Sequence, residues 1–348
     1  MKAGKISENI LKRSVLRQIK SKQKEVISGA GLGKDCALFS LGADTVVCVQ
    51  EAMIACTEQD LVKAVGAEPY MSIAHLIQKT ANNLSASGAT PIACMLAIVL
   101  PVDTEESLLK ALMCQAEEKC KELSMDIAGG QTRVSEGVRI PFVTVTGIGK
   151  MAKNNDGLVK KPFGETKCEG ILSPQDIVVT KWIGLQGTAI LAKRNAEKLM
   201  ERYPAYMIEE AQGFDKYLSV LPEAKIAMEF GVTQMRDVSE GGIFAALWEL
   251  AERTEVGMTV DMKKLPLRQE TVEVCEQCDA NPYELLSGGS LVIFTVNGEE
   301  LVELLCEQGI PACVVGQTNQ TKDRILTNQE EIRYMDKPKQ DAIYGNRS

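Results

Sequence analysis

The chain has 348 residues, 45% of them hydrophobic and 25% charged, and 47 acidic against 39 basic side chains leave it at a formal charge of −8. That is room for two hydrophobic cores, and the acidic balance excludes nucleic acid as the main partner. No apolar run approaches the roughly 20 residues of a bilayer span, the opening "MKAGKISENILKRSVL" lacks a signal peptide's apolar core, and 11 scattered cysteines suit reduced thiols, so a cytoplasmic protein without membrane contact is expected.

In chain order, residues 5–22 read as an amphipathic helix with Ser7 as a cap and Ile10, Leu11, Val15, Leu16 and Ile19 on one face. The stretch "GAGLGKDCALFS", residues 29–40, follows, then a β-branched run from Thr45 to Val49 that predicts a strand. Residues 70–87 predict a helix ending at "SGATP", and "IACMLAIVLP" a buried strand. The next helix spans 102–123; Asp103 and Glu106 have capping-box spacing, and Leu109, Leu112, Ala116, Cys120 and Leu123 form its apolar stripe. "MDIAGGQTRVSEGV" predicts a strand running into a glycine turn, and "IPFVTVTGIGK" another strand. The polar, Gly-, Lys- and Pro-rich residues 151–175 mark a domain boundary. Beyond it come the strand "DIVVTKWIG", the helix "GTAILAKRN", helical patterns over 207–230, and a turn and helix in "MRDVSEGGIFAALWELAERTEVG". Strands are expected at "GMTVDM", "GSLVIFTV", "ACVVGQT" and "EEIRYMD", with helices near 268–278 and 298–308. Both halves mix strands with helices, so the fold class is α+β with two domains.

Several stretches carry candidate chemistry. Gly29, Gly31 and Gly33 would let consecutive N–H groups face an anion, with Lys34 beside them and Asp35 a hard oxygen ligand for Mg²⁺. The spacing is neither that of a Walker loop nor of a dinucleotide fingerprint. Gly129 and Gly130 lead into Gln131, Thr132 and Arg133. Asp237 and Glu240 precede a helix that starts with Gly241 and Gly242. Its N-terminus favours anions, and Ser239 is its expected cap. Asn82 and Asn83 close a helix, as caps or as ligand contacts. The single histidine, His75, excludes a histidine-based triad and reads as structural. Cys275 and Cys278 have no second pair, so a zinc site is not expected.

The order of six segments resembles the AIR synthase-related superfamily, which includes AIR synthase, thiamine-phosphate kinase, selenophosphate synthetase and the hydrogenase maturation factor HypE. They are "GAGLGKDCALFS", "NNLSASGATPIACMLAIVLP", "IAGGQTRVSEGVRIPFVTVTGIGK", "DIVVTKWIGLQGTAILA", "MRDVSEGGIFAALWELAE" and "LLSGGSLVI". The resemblance is greatest to HypE-like members and runs from about Gly29 to Asp336. It implies a helix over 1–22, an ATP-binding and dimerisation domain over 23–155, a linker over 156–175, a C-terminal domain over 176–336 and a tail over 337–348. It implies a homodimer built on the N-terminal sheet, with ATP and Mg²⁺ as cofactors and phosphoryl transfer to an amide- or carboxylate-type oxygen of a small metabolite or partner-bound group.

Carried over by position, the resemblance makes Asp35 and Glu51 metal ligands and Asp237 and Glu240 the catalytic acids. ATP would be held by Gly29, Gly31, Gly33, Lys34, Asn82, Asn83, Gly129, Gly130, Gln131, Thr132, Gly241 and Gly242. The chain departs from the family at Gln50–Glu51, where Thr-Asp is usual, at Asn82–Asn83, where Asn-Asp is usual, and at Gln131, where His or Asp is usual. It ends "KQDAIYGNRS" rather than in the Pro-Arg-Ile-Cys tail of the cyanide-forming members. Neutral groups at these positions weaken Mg²⁺ binding, because an amide offers a dipole where a carboxylate offers a full charge. The alternative reading is therefore a catalytically degenerate homodimeric scaffold or regulator.

Overall fold

A computed structural model describes residues 8–19, 23–41, 46–55, 72–151 and 174–344. The expected cap Ser7, the segment 56–71 and most of the expected linker lie outside the described residues. Contacts divide the chain into two compact units, one of Lys22–Ala30 and Asp35–Pro162, the other of Met1–Ser21, Gly31–Lys34 and Phe163–Ser348.

The first unit holds a six-stranded sheet in the order β1-β2-β3-β6-β4-β5. Its strands are β1 (Val26–Ser28), β2 (Cys36–Ser40), β3 (Val46–Ala55), β4 (Ala89–Leu100), β5 (Asp126–Val134) and β6 (Phe142–Met151). All neighbours are antiparallel except β4 and β5, which run parallel across the helix α2 (Glu106–Glu122). Helix α1 (Ile73–Ala86) packs on β3, β4 and β6 and against α2. Its buried Ile73, Leu76, Ile77, Thr80, Ala81 and Leu84 follow helical spacing. Along β4 the burial alternates, with Cys94, Leu96, Ile98 and Leu100 buried while Ile92 and Met95 stand half-exposed. The sheet thus has a covered face and a face with apolar side chains turned outward.

Three expectations are corrected in or beside this unit. The glycine pair lies inside β5, not in a turn after it, because the extended backbone at Gly129 and Gly130 (φ 157° and 150°) continues the ladder with β4. Helix α2 starts at Glu106 with Glu105 as N-cap and no side-chain cap bond. Asp103 has φ 65°, and the Thr104 hydroxyl donates to Pro101 O at 2.7 Å, so a turn delays the helix start. The leading segment forms a short α-turn at Glu8–Ile10, a π-turn at Leu11–Val15 and a 3₁₀ turn at Leu16–Gln18. None of these turns buries a residue, and a helix without a buried face lacks the packing that stabilises it. His75 has the structural role expected of it. It completes a capping box at the start of α1, its backbone N–H donating to Ser72 Oγ at 3.3 Å and its ring accepting from Ser72 N at 3.2 Å.

The second unit holds a seven-stranded sheet in the order β13-β12-β9-β11-β7-β10-β8. Its strands are β7 (Asp176–Thr180), β8 (Gln234–Val238), β9 (Gly257–Asp261), β10 (Ser290–Thr295), β11 (Ala312–Asn319), β12 (Arg324–Asn328) and β13 (Glu331–Tyr334). The helices are α3 (Leu185–Arg194), α4 (Ala205–Gln212), α5 (Leu221–Phe230), α6 (Gly242–Thr254), α7 (Gln269–Gln277) and α8 (Gly298–Glu307), besides a short one at Ala196–Met200. Ile177, Val179, Ile243, Leu247, Leu250, Val260, Val292 and Phe294 form the core that joins α6 to the sheet. Sequence reading missed β12, and it read β8 as a turn. Gln234–Val238 is buried throughout, and a strand buried on both faces has no alternation to detect. Among the described residues no helix is long and apolar enough to cross a membrane.

A β-carbon at Gly130 would stand 1.9 Å from Leu96 O, so β4 and β5 approach there as only glycine allows. Gly130→Ala should lower stability by about 1–3 kcal/mol, read as a fall in the urea midpoint; an unchanged midpoint would show that β5 shifts freely.

Candidate functional site

In the first unit the strand register sets the site. Cys36, the first residue of β2, lies opposite Gln50 on β3, so Asp35 just before β2 and Glu51 just after Gln50 lie at the same end of this strand pair. Glu51 is exposed and accepts a hydrogen bond from Thr146 Oγ1 at 3.3 Å. Two carboxylates at one end of a strand pair suit Mg²⁺, which commonly takes one or two carboxylates and completes its shell with phosphate and water. Among the described residues no three His, Cys, Asp or Glu side chains converge as a self-sufficient metal cage. The donor set fits a cation that arrives with a phosphate.

The same register aligns Glu51, Thr146, Met95 and Gly129 in one row across β3, β6, β4 and β5. Three strand spacings separate Glu51 from Gly129, about 14 Å. Gln131 and Thr132 are exposed further along β5. These groups cannot share one ion with Glu51 inside this unit, but the span is that of an extended nucleotide. Asn82 and Asn83 are buried in α1, and Asn82 Oδ1 accepts from Gln78 Nε2 at 2.9 Å. Asn83 contributes its backbone oxygen, which accepts from Ser87 Oγ at 2.9 Å.

In the second unit the tip of the glycine-rich loop meets β8 and α6. Arg236, 4% exposed, donates from Nη1 to Gly33 O at 3.0 Å and pairs through Nη2 with Glu249. Gly33 has φ 65°. The neighbour of Arg236 is Asp237, buried in β8 opposite Leu291 rather than exposed just before the helix. Lys181, beyond the end of β7, reaches the Glu223 carboxylate at 2.6 Å and the backbone oxygens of Tyr217 at 2.9 Å and Ser219 at 2.5 Å. Burial drives the Lys181 pKa down and the Glu223 pKa up, while the attraction between them, with Asp237 adding to it at Lys181, opposes both shifts.

Helix α6 is capped by Gly241, not by Ser239. Gly241 and Gly242 have φ 84° and 66°, and a β-carbon at Gly242 would stand 2.4 Å from Tyr283 O. This left-handed pair turns the chain sharply into the helix. The Ser239 backbone oxygen accepts from Gly242 N at 3.1 Å and from Ser287 N at 3.2 Å. The Gly241 N–H meets a residue that sequence reading passed over: Asp341 Oδ2 accepts from it at 2.5 Å. Asp341 Oδ1 accepts from Leu286 N at 3.1 Å and Ile343 N at 2.8 Å. Burial, helped by nearby Glu240, pushes the Asp341 carboxyl up to about 6 against the opposing pull of these N–H groups. Its position in an expected tail, 55 residues or more from Leu286 and Gly241, left no local signal. Arg236, Lys181 and Glu223 were missed for the same reason. Cys275 is buried on α7, its thiol pushed up to about 12 by burial, and Cys278 follows at the end of that helix.

Because the folded protein holds the Asp341 proton more tightly than an unfolded chain does, this group's contribution to stability is complete below its usual value of 3.8 and is lost as pH rises through about 6. Unfolding midpoints from pH 3.5 to 7 should show wild-type protein losing on the order of 3 kcal/mol relative to Asp341→Asn. Parallel pH curves for the two proteins would contradict the assignment.

Comparison with known proteins follows the same division. Residues 33–151 match the model of the AIR synthase related protein, N-terminal domain, and residues 175–327 that of the C-terminal domain. Carbamoyl dehydratase HypE of Rhodobacter capsulatus is 29% identical over 248 residues, covering 68% of this chain and 67% of that protein. A putative hydrogenase expression/formation protein of Methanocaldococcus jannaschii is 26% identical over 272 residues, covering 77% and 76%. The crystal structure of hydrogenase maturation protein HypE in complex with ATP superposes with a TM-score of 0.67 over 98% of this chain and 97% of that one, at 16% identity, a likeness of fold. With both halves matched in order, the chain belongs to the AIR synthase related protein family.

Proposed function

We propose that this protein is an ATP-using enzyme that transfers a phosphoryl group to an amide or carboxylate oxygen of a small metabolite or of a group carried by a partner protein. The observation that carries this reading is that Asp35, directly after the glycine-rich loop, and Glu51 lie at the same end of the β2–β3 pair. A Mg²⁺ ion held by this pair would neutralise charge on the transferring phosphate. Gly29, Gly31 and Gly33 would allow backbone N–H groups to lie against the phosphates, with Lys34 as an added cation. Gly129, Gly130, Gln131 and Thr132 on β5, with Asn82 and Asn83 on α1, would contact the nucleotide. Asp237 and Glu240 would shape the acceptor side, with Gly241 and Gly242 turning the helix start toward it. Phosphorylation makes an amide oxygen a good leaving group, which permits ring closure or dehydration. The name of the R. capsulatus relative, a carbamoyl dehydratase, and the ATP bound to a HypE of the same fold support the reading.

A homodimeric scaffold without turnover is the second reading. It is favoured by Asn83, a buried neutral amide at the position where the resemblance leads one to expect a carboxylate. Calorimetry separates the two. The enzyme reading expects Mg²⁺-dependent ATP binding, weakened at least about tenfold, or about 1.4 kcal/mol, by Asp35→Asn. Absence of nucleotide binding at millimolar ATP would leave the scaffold.

Dimerisation would use the outward face of the first sheet, where Ile92 and Met95 are each 45% exposed. Light scattering on the intact protein should give a dimer, and Met95→Glu a monomer that keeps its circular dichroism spectrum. A Met95→Glu dimer would place the interface elsewhere.

A further inference from the structure

The second unit contains a cavity that shares only Gly241 with the reading above. It measures about 330 Å³, within the range of small-molecule sites. One wall is formed by Gly241 and Phe244 at the start of α6 and by Tyr283. The opposite wall is Met335–Lys339, the chain leaving β13. This outer wall is a strap tied at both ends. Met335 N donates to Arg324 O at 2.8 Å where the strap leaves the sheet. At the far end, Asp341 takes the Gly241 and Leu286 N–H groups, and Ala342 N donates to Glu284 O at 3.1 Å. The described residues between these ties are neither helix nor strand. Lifting the strap would break these end ties, of which Asp341 makes two, and would uncover the buried side chains of Met335 and Ile343.

The lining specifies a ligand class. Phe244 and Tyr283 stack with ring centroids 5.3 Å apart and planes 11° from parallel, which gives a flat apolar wall. Arg333, Lys337 and Lys339 face the cavity with Glu284 and Asp336. Lys339 pairs with Asp336 at 3.4 Å, so those two charges offset one another. Among the side chains lining the cavity, Arg333 and Lys337 then outnumber Glu284 by one. We propose that this cavity binds a small ring-bearing monoanion, of the aromatic carboxylate class, and that the strap over residues 335–344 closes it with Asp341 as the latch. All of its parts belong to one unit, so binding needs neither nucleotide nor turnover.

The test uses the full chain without nucleotide and three probes: 1-naphthoate, 1-naphthalenemethanol with the same ring and no charge, and acetate with the same charge and no ring. Fluorescence and ligand-observed NMR should show 1-naphthoate saturating one site per chain below about 5 mM and binding at least about tenfold more tightly than either other probe. Lys337→Gln, on the exposed strap, should weaken 1-naphthoate about fivefold without shifting the thermal midpoint, and Phe244→Ala should weaken both ring probes. Asp341→Asn places an amide N–H₂ against the Gly241 N–H, so 1-naphthoate should dissociate severalfold faster in stopped flow. No saturation by 1-naphthoate, equal binding of all three probes, or an unchanged affinity in Lys337→Gln would overturn the site. An unchanged dissociation rate in Asp341→Asn would overturn the latch. If Phe244→Ala fails to fold, Lys337→Gln and the probe comparison decide. Loss of ATP binding would leave this result standing, so the two readings fail separately.

Discussion

A buried guanidinium ties the glycine-rich loop to the second sheet. Arg236 extends from β8, is almost wholly removed from water, and is matched there by the Glu249 carboxylate and the Gly33 carbonyl. A charge at that depth persists only when it is paired and hydrogen-bonded. The arrangement fixes three things together: the tip of the loop, the strand carrying Asp237, and the middle of α6. Gly33 takes a left-handed backbone at this contact, and its carbonyl rather than a side chain accepts the bond. The loop is thus anchored by one backbone atom, while Lys34 and Asp35 follow directly in sequence.

The start of α6 depends on a second exchange of charge and dipole. Gly241 and Gly242 turn the chain so sharply that no side chain of the turn can cap the helix. Asp341 supplies the missing acceptor from the far end of the chain, taking backbone donors from two different segments and one from its own. A carboxylate at a helix N-terminus is favoured by the dipole. Burial and the neighbouring Glu240 act against it, and its raised pKa reports that they prevail. The strap that carries it closes the cavity beside Phe244 and Tyr283.

In the first unit, helices cover one face of the sheet and leave the other to Met95, Ile92 and the row from Glu51 to Gly129. The exposed apolar residues and the candidate phosphate-facing residues therefore share a surface. Neutral substitution at Asn83 and a longer acid at Glu51 alter the charge available there, while the pairing of Cys36 with Gln50 keeps Asp35 and Glu51 at one end of the strand pair.

The sequence by itself determined the two-domain α+β class, most strands and helices, and the family, because periodicity and ordered glycine motifs are local signals that need no knowledge of contacts. It also located Asp35, Gly33, Gly241 and Gly242 as special positions. Where sequence reading failed, the cause was physical. The buried strand β8 has no alternation, the glycines of β5 sit mid-strand because a neighbouring backbone comes too close for a side chain, and the leading helix has no buried face to regularise it. Only the tertiary structure decided that Arg236 grips Gly33, that Lys181 pairs with Glu223, and that Asp341 seals the start of α6. Each joins residues 42 to 203 positions apart, and what makes each contact stable, a buried charge that must find its partner, is a property of the packed interior that no window of sequence contains.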